Sequence, residues 1–206
     1  MNIKNILDEI DCYYTQKIEE FGPVPQGVDW NSEHGQLLRF QKLCNILDGD
    51  VEYSLNDVGC GYGSLLKIAM TDKLKKYNGF DLSDKMIEIA RKNYMQNSKV
   101  SFYRGEINEI ADYSIASGIF NVKFENKESD WLEYIFKTLD KMNHFSSKGF
   151  SFNFLTSYSD AHRKRNDLYY ADPCMIFDYC LRKFSRKVSL LHDYDLFEFT
   201  ILVKKV

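Results

Sequence analysis

A chain of 206 residues with 44% apolar and 15% aromatic side chains can bury one sizeable core but not two comfortable ones, so a single main domain is expected. A formal net charge of -3 gives no general attraction to polyanions, which sets long nucleic acid aside as the primary partner and favours small-molecule chemistry. Five cysteines, Cys12, Cys44, Cys60, Cys174 and Cys180, are scattered, odd in number and without a Cys-x-x-Cys pair, arguing against a disulfide framework or a zinc site and for a reducing, cytoplasmic setting. No apolar run approaches the roughly 20 residues of a membrane span. The stretch Met1–Ile10 is amphipathic and charged, unlike a signal peptide.

Ile3, Ile6, Leu7, Ile10, Tyr14 and Ile18 recur at helical spacing among Lys, Asp and Glu, predicting a first helix that ends near Phe21. Gly22-Pro23-Val24-Pro25-Gln26-Gly27 then stops it and holds two of the three prolines in the chain. Residues 1–27 therefore read as a helical arm and linker, and residues 28–206 as the body. A second helix, about Ser32 to Leu47, carries Leu37, Phe40, Leu43, Cys44 and Leu47 on an apolar side.

From Tyr53 the pattern becomes strand, loop, helix, repeated. Strands are expected at about Tyr53–Val58, Asn78–Leu82, Val100–Tyr103, Tyr113–Ser117 and Phe150–Leu155. Helices are expected over about Ser64–Met70, after Ser83 as N-cap, and along Trp131, Leu132, Ile135, Phe136, Leu139 and Met142 with Ser129 or Asp130 as cap. Such alternation implies right-handed crossovers and a mostly parallel sheet covered on both faces, an α/β fold. Asp172-Pro173 opens another helix, to about Phe184. Two strand-like runs follow, Lys187–Leu191 and Phe197–Val203, joined by a link so short that only an antiparallel hairpin is possible.

The chemistry concentrates in Leu55-Asn56-Asp57-Val58-Gly59-Cys60-Gly61-Tyr62-Gly63-Ser64-Leu65. Alternating glycines let the backbone turn sharply and approach a ligand closely at the start of a helix. A dinucleotide fingerprint reads Gly-x-Gly-x-x-Gly, whereas here the third glycine comes one residue early and an acid, Asp57, precedes the first. Asp81 stands near the roughly 20-residue separation expected between such a loop and an acid that binds ribose. This combination resembles motif I of the class I S-adenosylmethionine (SAM) dependent methyltransferases, and the resemblance can be followed from about Trp30 to the C-terminus. The antiparallel hairpin also separates that topology from the dinucleotide-binding one. The resemblance implies a Rossmann-like seven-stranded sheet with SAM as cofactor. It also implies an arm that either folds over the cofactor as a lid or packs outside the sheet.

Ligands of open α/β sheets bind beyond the carboxyl ends of the strands. The resemblance accordingly implies that Gly59, Cys60, Gly61 and Gly63 pass under the methionine part of SAM, with Asp57 turned toward the loop and the ammonium group. Asp81 is placed to accept from the ribose hydroxyls, and Leu82 to pack on adenine. Glu106 and Ile107 fall near the adenine edge, or Glu106 is an ordinary surface acid. Carbonyls of Ser117 and Gly118 can receive the ammonium. Trp30, Gln36 and Arg39 either reach the cofactor carboxylate or serve packing and solvated charge.

After the fourth strand, Phe120-Asn121-Val122-Lys123-Phe124 lacks the Asn/Asp-Pro-Pro-Tyr/Phe signature of many methyltransferases that act on amino groups, which favours an oxygen acceptor by elimination. A hydroxyl acceptor needs a base or hydrogen bond for its proton. Residues 156–172 form a long polar and aromatic loop at the ligand end of the sheet. It offers His162 or Asp160 as base, Tyr158, Tyr169 and Tyr170 as walls, and Arg163 or Arg165 for an anionic group. The bland alternative is a solvated loop whose tyrosines pack on a neighbouring helix. Thr156-Ser157-Tyr158-Ser159-Asp160 with Leu168-Tyr169-Tyr170-Ala171-Asp172-Pro173 looks like enzymes that tailor surface polysaccharides and other small molecules. The expectation is a methyltransferase for a sugar-derived or phosphate- or phosphoramidate-bearing small molecule, with no metal, nucleic acid or membrane partner and an undefined oligomeric state. A non-catalytic SAM-binding subunit, a nitrogen acceptor, and an NAD-binding dehydrogenase remain as alternatives.

Overall fold

A computed structural model describes residues 3–47 and 49–205; residues 1, 2, 48 and 206, including the first two of Met1–Ile10, lie outside the described residues. Helix α1 (Ile3–Phe21) is followed by a short 3-10 turn (Pro25–Val28) and α2 (Glu33–Cys44), whose last turn tightens over Asn45–Leu47. Then come β1 (Tyr53–Val58), α3 (Leu66–Ala69), β2 (Leu74–Asp81), α4 (Asp84–Tyr94), β3 (Val100–Arg104), β4 (Ala111–Ala116), α5 (Glu128–His144) and β5 (Ser146–Thr156). The chain ends with β6 (Tyr170–Ala171), α6 (Pro173–Lys183), β7 (Lys187–Leu191) and β8 (Glu198–Lys204).

The sheet runs β3-β2-β1-β4-β5-β8-β7, parallel from β3 through β5 and antiparallel at β8 and β7. The expected seven strands are joined by an eighth, β6. Pairing of β4 with β5 stops at Phe152, so β5 extends beyond its neighbour, and β6 pairs in parallel with Leu155 and Thr156 on that extension. Side chains of α5, α6 and the start of α1 pack on one face, around Phe150, Phe152, Phe154, Phe199 and Trp131. Those of α2, α3 and α4 pack on the other, around Leu55, Tyr77, Phe102 and Ile115. Sequence order reverses on either side of β1, between β2 and β4, which opens a crevice beyond the carboxyl end of β1.

Local chemistry accounts for most helix starts. Ser83 accepts from the Met86 N–H and Asp172 from the N–H groups of Cys174 and Met175. Two expectations are corrected. The helix after the glycine turn has only four residues, because Gly63 is left-handed (φ +86°) and Leu66, Lys67 and Ile68 bond three residues back, winding the chain too tightly for an earlier α-helical start. The helix cap before Trp131 is neither Ser129 nor Asp130 but Lys127, with no side-chain cap, and the Lys127 carbonyl accepts from Trp131 N–H at 3.0 Å.

Phe154 is fully buried and stacks between Phe120, at 4.9 Å, and Phe199, at 5.6 Å, joining the loop after β4 to the hairpin. Phe154→Ala is expected to cost about 3–5 kcal/mol, read as a lower urea midpoint with an unchanged m value.

Candidate active site

The crevice holds a cavity of about 320 Å³ walled by the ends of β1, β2 and β4, by α2, and by α1 lying across it. Gly59 (φ +73°) and Gly61 (φ +53°) take left-handed conformations that an ordinary side chain resists. A Cβ on Gly59 would fall 2.3 Å from Ile119, so that position is also closed by contact. N–H groups of Gly59 and Cys60 both donate to the Phe80 carbonyl, at 2.8 and 3.0 Å, which holds the turn against the end of β2.

Asp81 completes that junction. Its Oδ2 accepts from Gly61 N–H at 2.8 Å and its Oδ1 from Ser83 N–H at 2.9 Å, so the carboxylate ties the turn after β1 to the N-terminus of α4. Burial pushes its carboxyl up to about 6, against the backbone N–H groups of Ser83, Gly61 and Leu82 that pull it down. Asp57 lies deeper, 2% exposed, and accepts the Tyr77 hydroxyl at 2.5 Å. Burial raises it to about 7, with Tyr77 opposing and the neighbouring Asp81 adding to the rise.

Of the residues expected to hold a cofactor, Asp57, Gly59, Cys60, Gly61, Asp81, Leu82, Glu106, Ile107, Ser117, Gly118 and Arg39 line this one cavity. Gly63 does not; a Cβ there would meet Tyr94 and Phe102, so this glycine serves helix-to-sheet packing. Trp30 and Gln36 also line the cavity. Glu106 is paired with Lys141 at 2.6 Å.

Of the loop residues expected to hold an acceptor, Arg165 lines the cavity; Tyr158, Asp160, His162, Arg163, Tyr169 and Tyr170 stand outside its lining. The loop is fastened to its surroundings. Ser157 N–H donates to the Ala171 carbonyl, Lys164 Nζ to the Ser157 carbonyl at 2.7 Å, and Tyr169 N–H to the Asn121 carbonyl at 2.8 Å. Asp160 pairs with Arg163, the Tyr170 hydroxyl accepts from Arg165 N–H, and Tyr169 packs edge-on against Phe154. Tyr158 is 68% exposed beside His192.

Several lining residues carry no signal in the sequence. Asp29 sits in a left-handed conformation (φ +61°) at the end of the 3-10 turn, its carboxylate accepting from the Tyr13 hydroxyl at 3.0 Å and paired with Lys17 at 3.1 Å. Asn121, Leu168, Leu196 and Glu198 come from three further segments. Among the described residues no cluster of His, Cys, Asp and Glu is arranged to hold a metal ion, and no helix is long and apolar enough to cross a membrane.

A parallel sheet in this order, an antiparallel strand inserted before its last edge, a glycine turn after β1 and an acid closing β2 define the architecture of a class I methyltransferase. Residues 56–144 match the family described as methyltransferase domain. Rv1506c of Mycobacterium tuberculosis, named provisionally as a methyltransferase, is 50% identical over 155 residues, covering 74% of this chain and 93% of that protein. The chain belongs to the class I SAM-dependent methyltransferase family. The same fold recurs in magnesium protoporphyrin IX methyltransferase from Synechocystis PCC 6803 (TM-score 0.65, 12% identity, all of both chains). It recurs also in DhpI (0.64, 12%, 96% of each chain) and in the N-methyltransferase NodS from Bradyrhizobium japonicum WM9 (0.59, 13%, 84% of this chain and 97% of that one).

The residues present fit SAM. Gln36 Oε1 and Ser117 Oγ are buried polar atoms on the cavity wall without a hydrogen-bond partner among the described residues, and the Asp81 oxygens keep lone pairs beyond their backbone bonds.

Asp57 also ties stability to pH. Its carboxyl rises from 3.8 to about 7 on folding, so the folded protein is favoured below pH 4 and loses that advantage as pH climbs through about 7. Asp57→Asn is expected to melt higher than the ligand-free wild type at pH 8 and close to it at pH 4; equal differences at both values in a thermal scan would refute this.

Proposed function

We infer that the protein transfers a methyl group from SAM to an oxygen of a compact small molecule, sugar-derived or bearing a phosphate or phosphoramidate, of the kind used in surface-polysaccharide (capsule or O-antigen) biosynthesis. The observation that carries the donor half is the Asp81 carboxylate, fixed by two backbone N–H groups and lining the same cavity as the glycine turn. SAM supplies the electrophile, a methyl group on a sulfonium, so the protein's task is to align an acceptor and exclude water. Asp81 accepts from ribose hydroxyls, and Leu82, Glu106 and Ile107 border the adenine. Gly59, Cys60 and Gly61 admit the methionine end, with Gln36 Oε1 and the carbonyls of Ser117 and Gly118 as acceptors for its ammonium.

Lining residues the donor does not need describe the acceptor. Val122, Leu155, Leu168 and Leu196 make an apolar surround, while Arg165, whose Nε and Nη2 are held by Asp167, offers the rest of its guanidinium to an anionic group and Asp29 a carboxylate to a hydroxyl. Because His162 and Asp160 stand outside the lining, the hydrogen bond that guides the acceptor proton is assigned to Asp29, which Tyr13 and Lys17 hold in place. Oxygen is favoured over nitrogen by the run Phe120 to Phe124, which lacks the signature of amino-group methylation. Of the arm, helix α1 serves as a roof: its Leu7, Ile10, Asp11 and Tyr14 line the cavity, and the helix is latched by Asp11 to Arg104, Thr15 to Ser83 and Glu9 to Asn126.

Calorimetric titration with S-adenosylhomocysteine (SAH) tests the donor half; saturable binding is expected, and none would remove it. Asp81→Asn should weaken that binding by about 100-fold or more, two hydrogen bonds to a charged acceptor being lost. Wild-type affinity should fall as pH drops through about 6, where Asp81 takes up its proton and ceases to be a full acceptor. For the acceptor, mass spectrometry of reactions with nucleotide-linked sugars and phosphorylated metabolites should find a product heavier by one methyl group. With that substrate, Arg165→Ala should raise KM about tenfold with kcat little changed; an unchanged KM would discard the anionic group.

A further inference from the structure

Strand β8 opens with a glutamate that binding and transfer, as derived above, leave unused. Glu198 is 1% exposed. Arg39 of α2 donates to it from Nε, at 2.8 and 2.9 Å to the two oxygens, and from Nη2 at 2.5 Å. Asn153 of β5 donates from Nδ2 at 2.6 Å, and its own Oδ1 accepts from Gly118 N–H at 2.8 Å. The Arg39 guanidinium carbon lies 4.0 Å from the centre of the Trp30 ring, and the edge of the same indole covers Gly118, where a Cβ would come within 2.3 Å of it. One buried carboxylate therefore fixes a guanidinium, an indole and the backbone at the end of β4, and all three lie on the cavity wall.

The fork is only partly used. Arg39 Nη1 makes no hydrogen bond among the described residues, and it lies beside Gly35, where a Cβ would approach it to 2.9 Å, so the glycine leaves it room. Gln36, three positions earlier on the same helix face, is 1% exposed with Oε1 unpartnered. An unpaired cationic N–H donor and an unpaired carbonyl acceptor, side by side on one wall, are complementary to a group that carries an anion and a cation on neighbouring atoms. An α-amino acid zwitterion is such a group. Glu198 neutralises the guanidinium without consuming Nη1, and its burial makes the pair dependent on both partners, since removing either leaves an uncompensated charge.

We propose that Glu198 is a positioning residue for the amino-acid end of SAM: it holds Arg39 flat on Trp30 so that Nη1 meets the carboxylate while Gln36 meets the ammonium, and through Asn153 it sets the Gly118 backbone. The assignment rests on the SAM reading above. Two probes separate the two ideas: SAH, and 5′-methylthioadenosine, which keeps the adenosine and sulfur but lacks the amino-acid end. The wild-type protein should bind both. In Glu198→Gln, affinity for SAH should fall about tenfold or more while that for methylthioadenosine stays within about twofold. Arg39→Lys keeps a positive charge opposite Glu198 but loses the planar fork, so it should show the same selective loss and provides the reading where Glu198→Gln fails to fold. Equal weakening of both probes, or no change in SAH binding, would overturn the positioning role while leaving SAM in place. A wild-type protein that binds neither probe would overturn both readings.

Discussion

The site depends on the Asp81 carboxylate and the two backbone N–H groups it bridges. That bridge ties the glycine turn after β1 directly to the N-terminus of α4, beside the packing of Tyr62 on Met86 and the bonds from the turn to the Phe80 carbonyl. The arrangement has an electrostatic consequence. Asp81 and Asp57 lie in one cleft, both raised by burial, and among the described residues neither forms an ion pair with a cationic side chain. The ligand-free protein thus holds two carboxyls whose ionisation is disfavoured by burial where a ligand bearing hydroxyls and an ammonium group would sit. Part of the binding energy for such a ligand is therefore relief of a cost already built into the fold.

The packing beneath the cleft keeps the bridge in register. Trp131 Nε1 donates to the Phe120 carbonyl at 3.1 Å, and Phe120 stacks on Phe154, so helix α5, the loop after β4 and strand β5 are fastened to one another. Phe199 extends the same stack into β8, whose opposite register positions bear Glu198 and Thr200, both buried. A charge at the start of a strand that lies between two others is tolerable only with a partner, and Arg39 and Asn153 satisfy it.

The glycine turn and the acid closing β2 were legible because their determinants are local: glycines at every second position, an acid about 20 residues on, and strand ends where each must fall. The hairpin was equally plain, since His192-Asp193-Tyr194-Asp195 cannot span a crossover. Glu198 was not, because Phe197, Phe199, Ile201 and Val203 read as the inward set of a half-exposed strand, whereas β8 is inserted between β5 and β7, buried on both faces, and leaves Phe197 43% exposed. The internal pairing of the 156–172 loop was not legible from its composition. Its charges pair with one another at short range, Asp160 with Arg163 and Arg165 with Asp167, and β6 fastens its far end to β5, none of which an inventory of side chains can foresee. Asp29 had no pattern at all, its placement resulting from a left-handed residue at the end of a 3-10 turn.

That contrast follows from how the two halves are built. The glycine turn and the acid closing β2 sit on backbone atoms and strand ends, which the sheet holds at fixed spacing; solved structures of 11–16% identity share that fold. The other part of the cavity wall is made by side chains on separate loops, represented by Asp29, Asn121, Arg165 and Leu196, each held by a few bonds of its own: Asp29 by Tyr13, Asn121 by Leu155 and Tyr169, Arg165 by Asp167 and Leu196 by Tyr194. A substitution in one of these loops alters the chamber without disturbing the sheet. The roof shares that independence. Helix α1 buries only Ile6 and Ile18, and it is latched at several points by partly exposed polar contacts whose individual net contributions are small. A wall held by such contacts, with no share in the hydrogen-bond ladder of the sheet, can be displaced without unzipping a strand.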